Sequence, residues 1–457
     1  MTTNLGSADY RGELGDGLVA RWSTAADAQP FADMMAMVFR DKAEDPPNIR
    51  TGLWILDNAS GRSPLQTVGD LALVEDTKTG ALVAGAALMR QRWEYAGIPF
   101  GVGRPEPVGT HPEYRNRGLV RQLFAMMHAR SEGRGDLAQA ISGIPYFYRQ
   151  FGYEFALDLS GSQSMPFSGI AKLKDGEVEP YRLRLAEQDE LMQIALIHER
   201  ERSRTHDGRP MLVTAPIDLS YWRWVTGGMN PEARSGWNTF AILDTDDRLV
   251  GYTMTSRQRW GDAFSVFGLA LEPQIALAAA LPSLLRGLMA LALEAPTAKA
   301  DTPAAGRVAF VLGRAHPIYD VLGERLAGRT YQPYAWYVRV PDLPAFIERI
   351  KPSLERRLAA SAMAAHSGDL TIDMYRGGMR LAFERGRLTA AEPWQRPMYG
   401  EEPGMGISAL VFLHLLFGHR SVAELRAFYA DFEVGDAARP LVEALFPKQT
   451  SWTQPLD

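Results

Sequence analysis

The order strand, helix, hairpin, strand, helix, strand can be read twice along this chain, and that duplication constrains its fold more than any single residue. In the first copy, Gly17 to Trp22 reads as a short strand. Phe31, Met34, Met35 and Val38 then recur at helical spacing behind Thr24, a candidate helix cap. Leu71 to Glu75 and Ala81 to Trp93 read as strands around the turn Asp76 to Gly80. Gly101 to Gly109 reads as a further strand, irregular because Pro105 and Pro107 cannot donate ladder hydrogen bonds. Leu119 to Glu132 has a helical apolar face closed by Gly133 and Gly135, and Leu137 to Ile141 returns to strand. The aromatic-rich stretch Tyr146 to Phe155 ends the copy near Leu159, and Ser160 to Gly169 reads as a linker.

The second copy shares this order with little residue identity. It runs from the strand Tyr181 to Leu185, through a helix over Glu187 to Glu201, to the strand pair Thr239 to Leu243 and Leu249 to Gln258. A long helix after Pro273 and a strand at Arg307 to Leu312 complete it. A third unit opens at Trp336-Tyr-Val-Arg-Val340, with helices expected over Ala345 to Ala360, Ser408 to Phe417 and Val422 to Ala430, and short strands between. The expected class is α/β (α+β), divided into 1–165, 166–340 and 341–457, and a chain of 457 residues is long enough for three cores.

The stretch that carries chemistry is Val108-Gly109-Thr110-His-Pro-Glu-Tyr114-Arg115-Asn116-Arg117-Gly118-Leu119-Val120, a strand running into a helix. A helix N-terminus offers unpaired N–H groups and partial positive charge, so it suits a phosphate. Gly118 lets the backbone come close to an anion, and Arg115 and Arg117 add charge. A basic helix start on a solvated face is the alternative reading. Downstream, Tyr148-Arg-Gln-Phe151-Gly152-Tyr153 offers a phenol that reads either as a proton donor or as core packing.

The order Pro-x-Tyr-Arg-x-Arg-Gly-Leu resembles the pyrophosphate signature of the GNAT superfamily of N-acetyltransferases, with Val120 in place of the usual last small residue. Tyr148 to Tyr153 resembles the same superfamily's Tyr-x-x-x-Gly-Tyr/Phe segment. The whole-chain plan, with the Trp336 to Leu343 junction and Leu415 to Leu425, resembles the enhanced-intracellular-survival (Eis-like) family. The resemblance implies tandem GNAT folds, the second degenerate and without a cofactor loop, and a sterol-carrier-protein-like domain at the end. It implies that acetyl-CoA is the cosubstrate, held by Val108, Gly109, Thr110, Arg115, Asn116, Arg117, Gly118, Leu119 and Ser142. The acceptor would be a primary amine of a small cationic molecule or a lysine side chain, attacked directly. Tyr148 would be the general acid, a backbone N–H near Val108 or Thr110 the oxyanion donor, and the C-terminal carboxylate the base. Here that terminus is Asp457, where the family has an aromatic residue, and an acidic tail is the alternative. A homo-oligomer, a hexamer by family analogy, is implied as well.

Composition narrows the rest. Cysteine is absent, so thiolate nucleophiles and Cys-ligated metals are excluded, and the eight histidines show no ligand spacing, so no metal is expected. A net charge of −5 predicts no nucleic-acid partner. The apolar stretch Ala276 to Leu293, interrupted by Pro282 and Arg286, is expected to fall short of a membrane span, and with no signal-like N-terminus the expected location is cytoplasmic with no membrane partner. Asp41, Glu44 and Asp45 are either acceptor-side charges or a solvated loop. Tyr221, Trp222, Trp224 and Trp237 are either pocket wall or core. A competing function is a non-catalytic lipid-binding or scaffold protein with a vestigial GNAT unit, carried by the C-terminal helix face around Leu410 to Leu416.

Overall fold

The computed structural model describes residues 4–206, 208–233, 236–323, 327–399 and 402–453. From the N-terminus come strands β1 (Arg11–Gly15) and β2 (Leu18–Trp22), helices α1 (Ala28–Val38) and α2 (Ile49–Ala59), and strands β3 (Leu71–Asp76), β4 (Ala81–Tyr95) and β5 (Ile98–Thr110). Helix α3 (Leu119–Gly133), β6 (Ala138–Ile141) and β7 (Glu154–Leu159) follow. The chain continues through β8 (Ser162–Pro166), β9 (Arg182–Leu185), α4 (Leu191–Arg202), the short strands β10 (Thr205–His206), β11 (Arg209–Pro210) and β12 (Val213–Thr214), and α5 (Leu219–Arg223). Then come β13 (Trp237–Leu243), β14 (Leu249–Ser256), β15 (Ala263–Leu271), α6 (Leu277–Glu294), β16 (Arg307–Phe310), α7 (Ile318–Leu322), β17 (Ala327–Tyr331) and β18 (Tyr334–Arg339).

The first sheet has the order β1-β2-β3-β4-β5-β6-β18-β7, and the second β17-β8-β16-β15-β14-β13-β9. In each, antiparallel strands lead to one parallel pair, β5 with β6 and β15 with β16, joined by the long helices α3 and α6. The two sheets exchange strands. β8, which follows β7 in the chain, lies between β16 and β17 of the second sheet, and β18, which follows β17, lies between β6 and β7 of the first. The stretch Ser160 to Gly169, expected as a linker, is therefore largely a strand. Its Ser-Gln-Ser composition hides this, because its ladder partners Val308 and Phe310 lie far along the sequence. Trp336 to Arg339, expected to open the third unit, belongs to the first sheet.

Helix α2 also escaped sequence reasoning. Asn48, just past the paired prolines, caps it by accepting the Thr51 N–H at 3.1 Å. Helix α6 is long and apolar enough by length and composition to cross a membrane, which corrects the expectation that it falls short. In this structure it lays Ala280, Leu281, Leu284, Leu285 and Leu288 among the apolar residues of the second sheet.

The last stretch holds α8 (Leu343–Ala359), strands β19 (Gly368–Asp373), β20 (Gly378–Glu384), β21 (Arg387–Pro393) and β22 (Met405–Gly406), helices α9 (Ala409–Leu416) and α10 (Val422–Phe428), β23 (Glu433–Val434) and α11 (Arg439–Leu445). Its five-stranded sheet, ordered β21-β20-β19-β22-β23, packs with α8, α9 and α11 into one apolar cluster. That cluster continues into Trp93, Tyr95 and Trp336 of the first sheet, so burial joins the two units across a shared core. The tail then returns to the junction: Trp452 N–H donates to Val213 O at 2.9 Å, and Gln449 N–H to Gly418 O at 3.0 Å.

Candidate active site

The site begins where β5 leaves β6. The two strands pair only at Val102–Ala138 and Gly103–Gln139. Beyond Gly103, β5 carries Pro105 and Pro107, which lack N–H groups, and an extra residue between the pairs Leu88–Pro105 and Ala86–Val108. Missing donors and a bulge together turn the strand away from its neighbour and open a wedge. Ladder parity fixes which backbone groups face it. His111 N–H donates to Val83 O at 2.8 Å, and the register continues through Thr110–Ala84, Gly109–Gly85 and Val108–Ala86. Successive residues of an antiparallel strand address opposite edges, so His111 and Gly109 face β4, whereas the N–H groups of Val108 and Thr110 face the wedge.

The loop after β5 ends in a tight curl. Asn116 and Gly118 both have left-handed backbones, with φ of 61° and 75°. A Cβ on Gly118 would meet nothing within 4 Å, so glycine is favoured there by its dihedral rather than by space. The first helical hydrogen bond from this end of α3 runs from Gln122 N–H to Gly118 O at 3.3 Å, which leaves the N–H groups of Leu119, Val120 and Arg121 without intrahelical acceptors. Arg115, Asn116, Gly118 and Leu119 line a cavity of about 730 Å³ with Val108, Gly109 and Thr110. Arg115 is exposed and has no carboxylate partner among the described residues. Arg117 does not line the cavity; its guanidinium stacks 5.0 Å from the Tyr114 ring, whose hydroxyl donates to Asp76 Oδ2 at 2.7 Å.

Tyr148 sits in a single 3-10 turn, Phe147–Phe151, and is only 6% exposed. Its ring is held by Phe147 at 5.1 Å, Tyr337 at 5.5 Å and Phe124 at 5.6 Å between centroids. Tyr337 comes from the exchanged strand β18, so the second repeat's last strand positions the first repeat's phenol. Among the described residues nothing hydrogen-bonds the Tyr148 hydroxyl. Burial, and then the charge of Glu106, push its pKa above that of an ordinary phenol, so it stays protonated at neutral pH.

Tyr148 also lines a second cavity, of about 750 Å³, between the two sheets. Phe39, Trp54 and Glu106 contribute from the first repeat, and Trp237, Arg257 and Phe267 from the second. Ser142, grouped by sequence with the loop, lines this chamber instead. Phe39, Val108, Ile144 and Tyr148 border both cavities, so the two spaces meet at the phenol and at the backbone of Val108.

Glu106 was missed by sequence reasoning. Arg104, itself 1% exposed, donates to Glu106 Oε2 from Nε at 2.9 Å and Nη2 at 2.6 Å. The available signal was an Arg-Pro-Glu-Pro run inside an apolar strand. Asp41 and Asp45 do not line the chamber: Asp41 pairs with Lys299 at 2.7 Å, and Asp45 accepts the Lys42 N–H at 2.9 Å. Tyr221, Trp222 and Trp224 are core residues, and only Trp237 of that aromatic group reaches the chamber. No cluster of three metal-ligating side chains occurs among the described residues. Asp457 lies outside the described residues; Thr453, the last described residue, is buried and accepts a hydrogen bond from Trp336 Nε1 at 2.8 Å.

Residues 20–156 match the family model described as an acetyltransferase (GNAT) domain. No curated protein matches the chain. Among solved structures, a GCN5-related N-acetyltransferase from Kribbella flavida superposes with a TM-score of 0.62 at 19% identity, covering 96% of this chain and 99% of that one. A conserved protein of unknown function from Enterococcus faecalis, described as a probable N-acyltransferase, gives 0.64 at 13% identity over 96% and 98%. Eis1 from Mycobacterium abscessus gives 0.57 at 15% identity over 96% and 98%. At these identities the likeness is one of fold, and it runs the length of the chain. Residues 20–156 thus form an acetyltransferase (GNAT) domain, within a mixed α/β chain whose fold is shared with GCN5-related N-acetyltransferases.

Proposed function

We propose that the chain is an N-acetyltransferase that moves acetyl from acetyl-CoA to a primary amine by direct attack. The observation that carries this reading is the sharing of one protonated, unpartnered phenol, Tyr148, between an anion-suited loop cavity and a separate chamber. The open N–H groups of Leu119 to Arg121 and the unpaired Arg115 suit a pyrophosphate. When bound, acetyl-CoA would supply an activated thioester.

The backbone N–H groups of Val108 and Thr110 would hold the carbonyl oxygen as it gains negative charge. The amine nitrogen, having lost one proton, bonds to the carbonyl carbon; the C–S bond breaks, and Tyr148 gives its proton to the departing sulfur. The nitrogen then loses its second proton, leaving an amide and a thiol. Asp457 at the end of the tail is the candidate base. The second repeat lacks a comparable loop, since the turn before α6 reads Glu272-Pro-Gln-Ile-Ala276, and we assign it to forming one wall of the chamber.

Thermal unfolding with acetyl-CoA, with desulfo-CoA and free fatty acid as controls, tests the reading. Stabilisation by both CoA compounds and thiol release on adding an amine are expected. No shift at saturating acetyl-CoA would overturn it, and a shift with fatty acid alone would favour lipid binding.

A further inference from the structure

The charges lining the chamber are unlike those of a site for polycations. Glu106 is the one carboxylate among its described lining residues, and both contacts from Arg104 fall on Oε2. The lone pairs of Oε1 remain for another donor. From the second repeat, Arg257 lines the same space. Its Nη1 donates to Asn230 O at 2.9 Å and its Nη2 to Val225 O at 3.2 Å, both peptide carbonyls. Two of its five N–H donors are thereby used, and among the described residues no carboxylate contacts it. The guanidinium lies flat on Gly236, where a Cβ would fall 2.8 Å from Cζ. Burial lowers its pKa from the usual guanidinium value, and the charge of nearby Asp57, whose carboxylate is engaged by Arg62 and the Asn230 N–H, opposes that shift. The hydroxyls of Thr51 and Ser256, also on the lining, are buried without partners. Phe39, Trp54, Trp237 and Phe267 supply apolar walls.

A half-buried guanidinium with three N–H donors left over and no carboxylate in contact keeps part of its charge uncompensated, and an anionic group on the occupant would compensate it. A polyamine or aminoglycoside would instead bring several positive charges to one carboxylate already neutralised by Arg104.

We propose that the acceptor is an amine with an aromatic or apolar body and a carboxylate of its own, an aromatic amino acid being its simplest form, with the ammonium at Glu106 and the carboxylate at Arg257. This rests on the acetyltransferase reading above. The reaction is the one already written: the nitrogen loses two protons and gains the acetyl carbon, and the sulfur takes the proton from Tyr148. The product keeps its carboxylate and loses its ammonium, so it loses its attraction to Glu106 and can leave.

The test compares thiol release by the full chain with phenylalanine, phenethylamine and spermidine. We expect kcat/KM for phenylalanine to exceed that for either other amine by about tenfold or more, the effect of one charge-assisted contact. In Arg257→Gln the ratio of phenylalanine to phenethylamine should fall to within about twofold, while Arg257→Lys, which keeps the charge, should retain much of it. Calorimetry with N-acetylphenylalanine and N-acetylphenethylamine reads the same preference without turnover. Equal or better use of phenethylamine or spermidine, or a preference that survives in Arg257→Gln, overturns the inference and leaves the acetyltransferase reading intact. No thiol release from any amine, with no thermal shift on acetyl-CoA, overturns both.

Discussion

Trp336 donates its indole Nε1–H to Thr453 Oγ1 at 2.8 Å, with both residues almost fully buried. The bond ties the returning tail to the exchanged strand β18. On the other face of the connection, the Arg104 guanidinium lies 5.0 Å from the same indole ring and pairs with Glu106, which lines the chamber. Thr453→Val keeps the shape and removes the acceptor, leaving a buried donor unpaired. We expect a loss of about 1–3 kcal/mol in denaturant unfolding. A change below about 0.5 kcal/mol would show that the indole finds another partner and that the tail is not held this way.

Tyr148→Phe removes the only phenolic hydroxyl that the two cavities share among the described residues and keeps the ring packed against Phe124, Phe147 and Tyr337. Proton donors of this kind contribute roughly a hundredfold or more to turnover. The expected outcome is a fall of that size in kcat with little change in KM for acetyl-CoA. Unchanged kcat would remove Tyr148 from the mechanism and leave it as core.

The geometry of the loop from Val108 to Leu119 was legible in the sequence because it is local: a strand end, a positive-φ glycine and a helix start are neighbours in the chain. Tyr148, grouped with that loop by sequence, lines the same cavity. Residues assembled by topology were not legible. Glu106 reaches the chamber through its position beside the wedge, which depends on β5 parting from β6, and nothing in a single strand announces that. Tyr337 reaches Tyr148 only because β18 crosses into the first sheet. Arg257 shares a cavity with Glu106 although some 150 residues separate them, since the two repeats face each other there. The repeat itself was readable from element order, whereas the exchange of β8 and β18 was not, because strand partners are chosen by sheet edges rather than by local pattern.

Arg115→Ala and Gly118→Ala separate charge from backbone shape in the loop. Arg115 is exposed and has no ion-pair partner among the described residues, so its loss should leave stability within about 0.5 kcal/mol and weaken acetyl-CoA binding severalfold. Alanine at Gly118 meets open space yet must adopt φ near 75°, at a strain of about 1–2 kcal/mol. A thermal shift assay across both variants checks this. Equal acetyl-CoA stabilisation of wild type and Arg115→Ala would show that the arginine does not hold the cosubstrate.

Acid should unfold this protein earlier than its carboxylates alone would require. Four histidines are held neutral in the fold. Burial, chiefly, brings His198 and His316 down to about 4 and His128 and His414 down to about 3, against an ordinary 6.5. Arg202 beside His198, and His419 and Arg420 beside His414, add repulsion in the same direction. Below pH 6.5 the unfolded chain takes up protons at these positions while the folded chain does not until about pH 4 to 3. Stability is therefore complete above pH 6.5 and falls as the pH drops through the window between 6.5 and those depressed values. At pH 5 each histidine contributes a loss of up to about 2 kcal/mol by the same linkage, reduced where residual structure perturbs the unfolded values. Denaturant unfolding at pH 7, 6 and 5 should show a steep fall in midpoint, before most carboxylates titrate. His128→Gln, which keeps a polar group opposite the Tyr153 hydroxyl, should lower proton uptake on unfolding near pH 5 by about one. A midpoint that stays flat from pH 7 to 5 would mean that these histidines charge inside the fold, and that their burial is less complete than the packing around them implies.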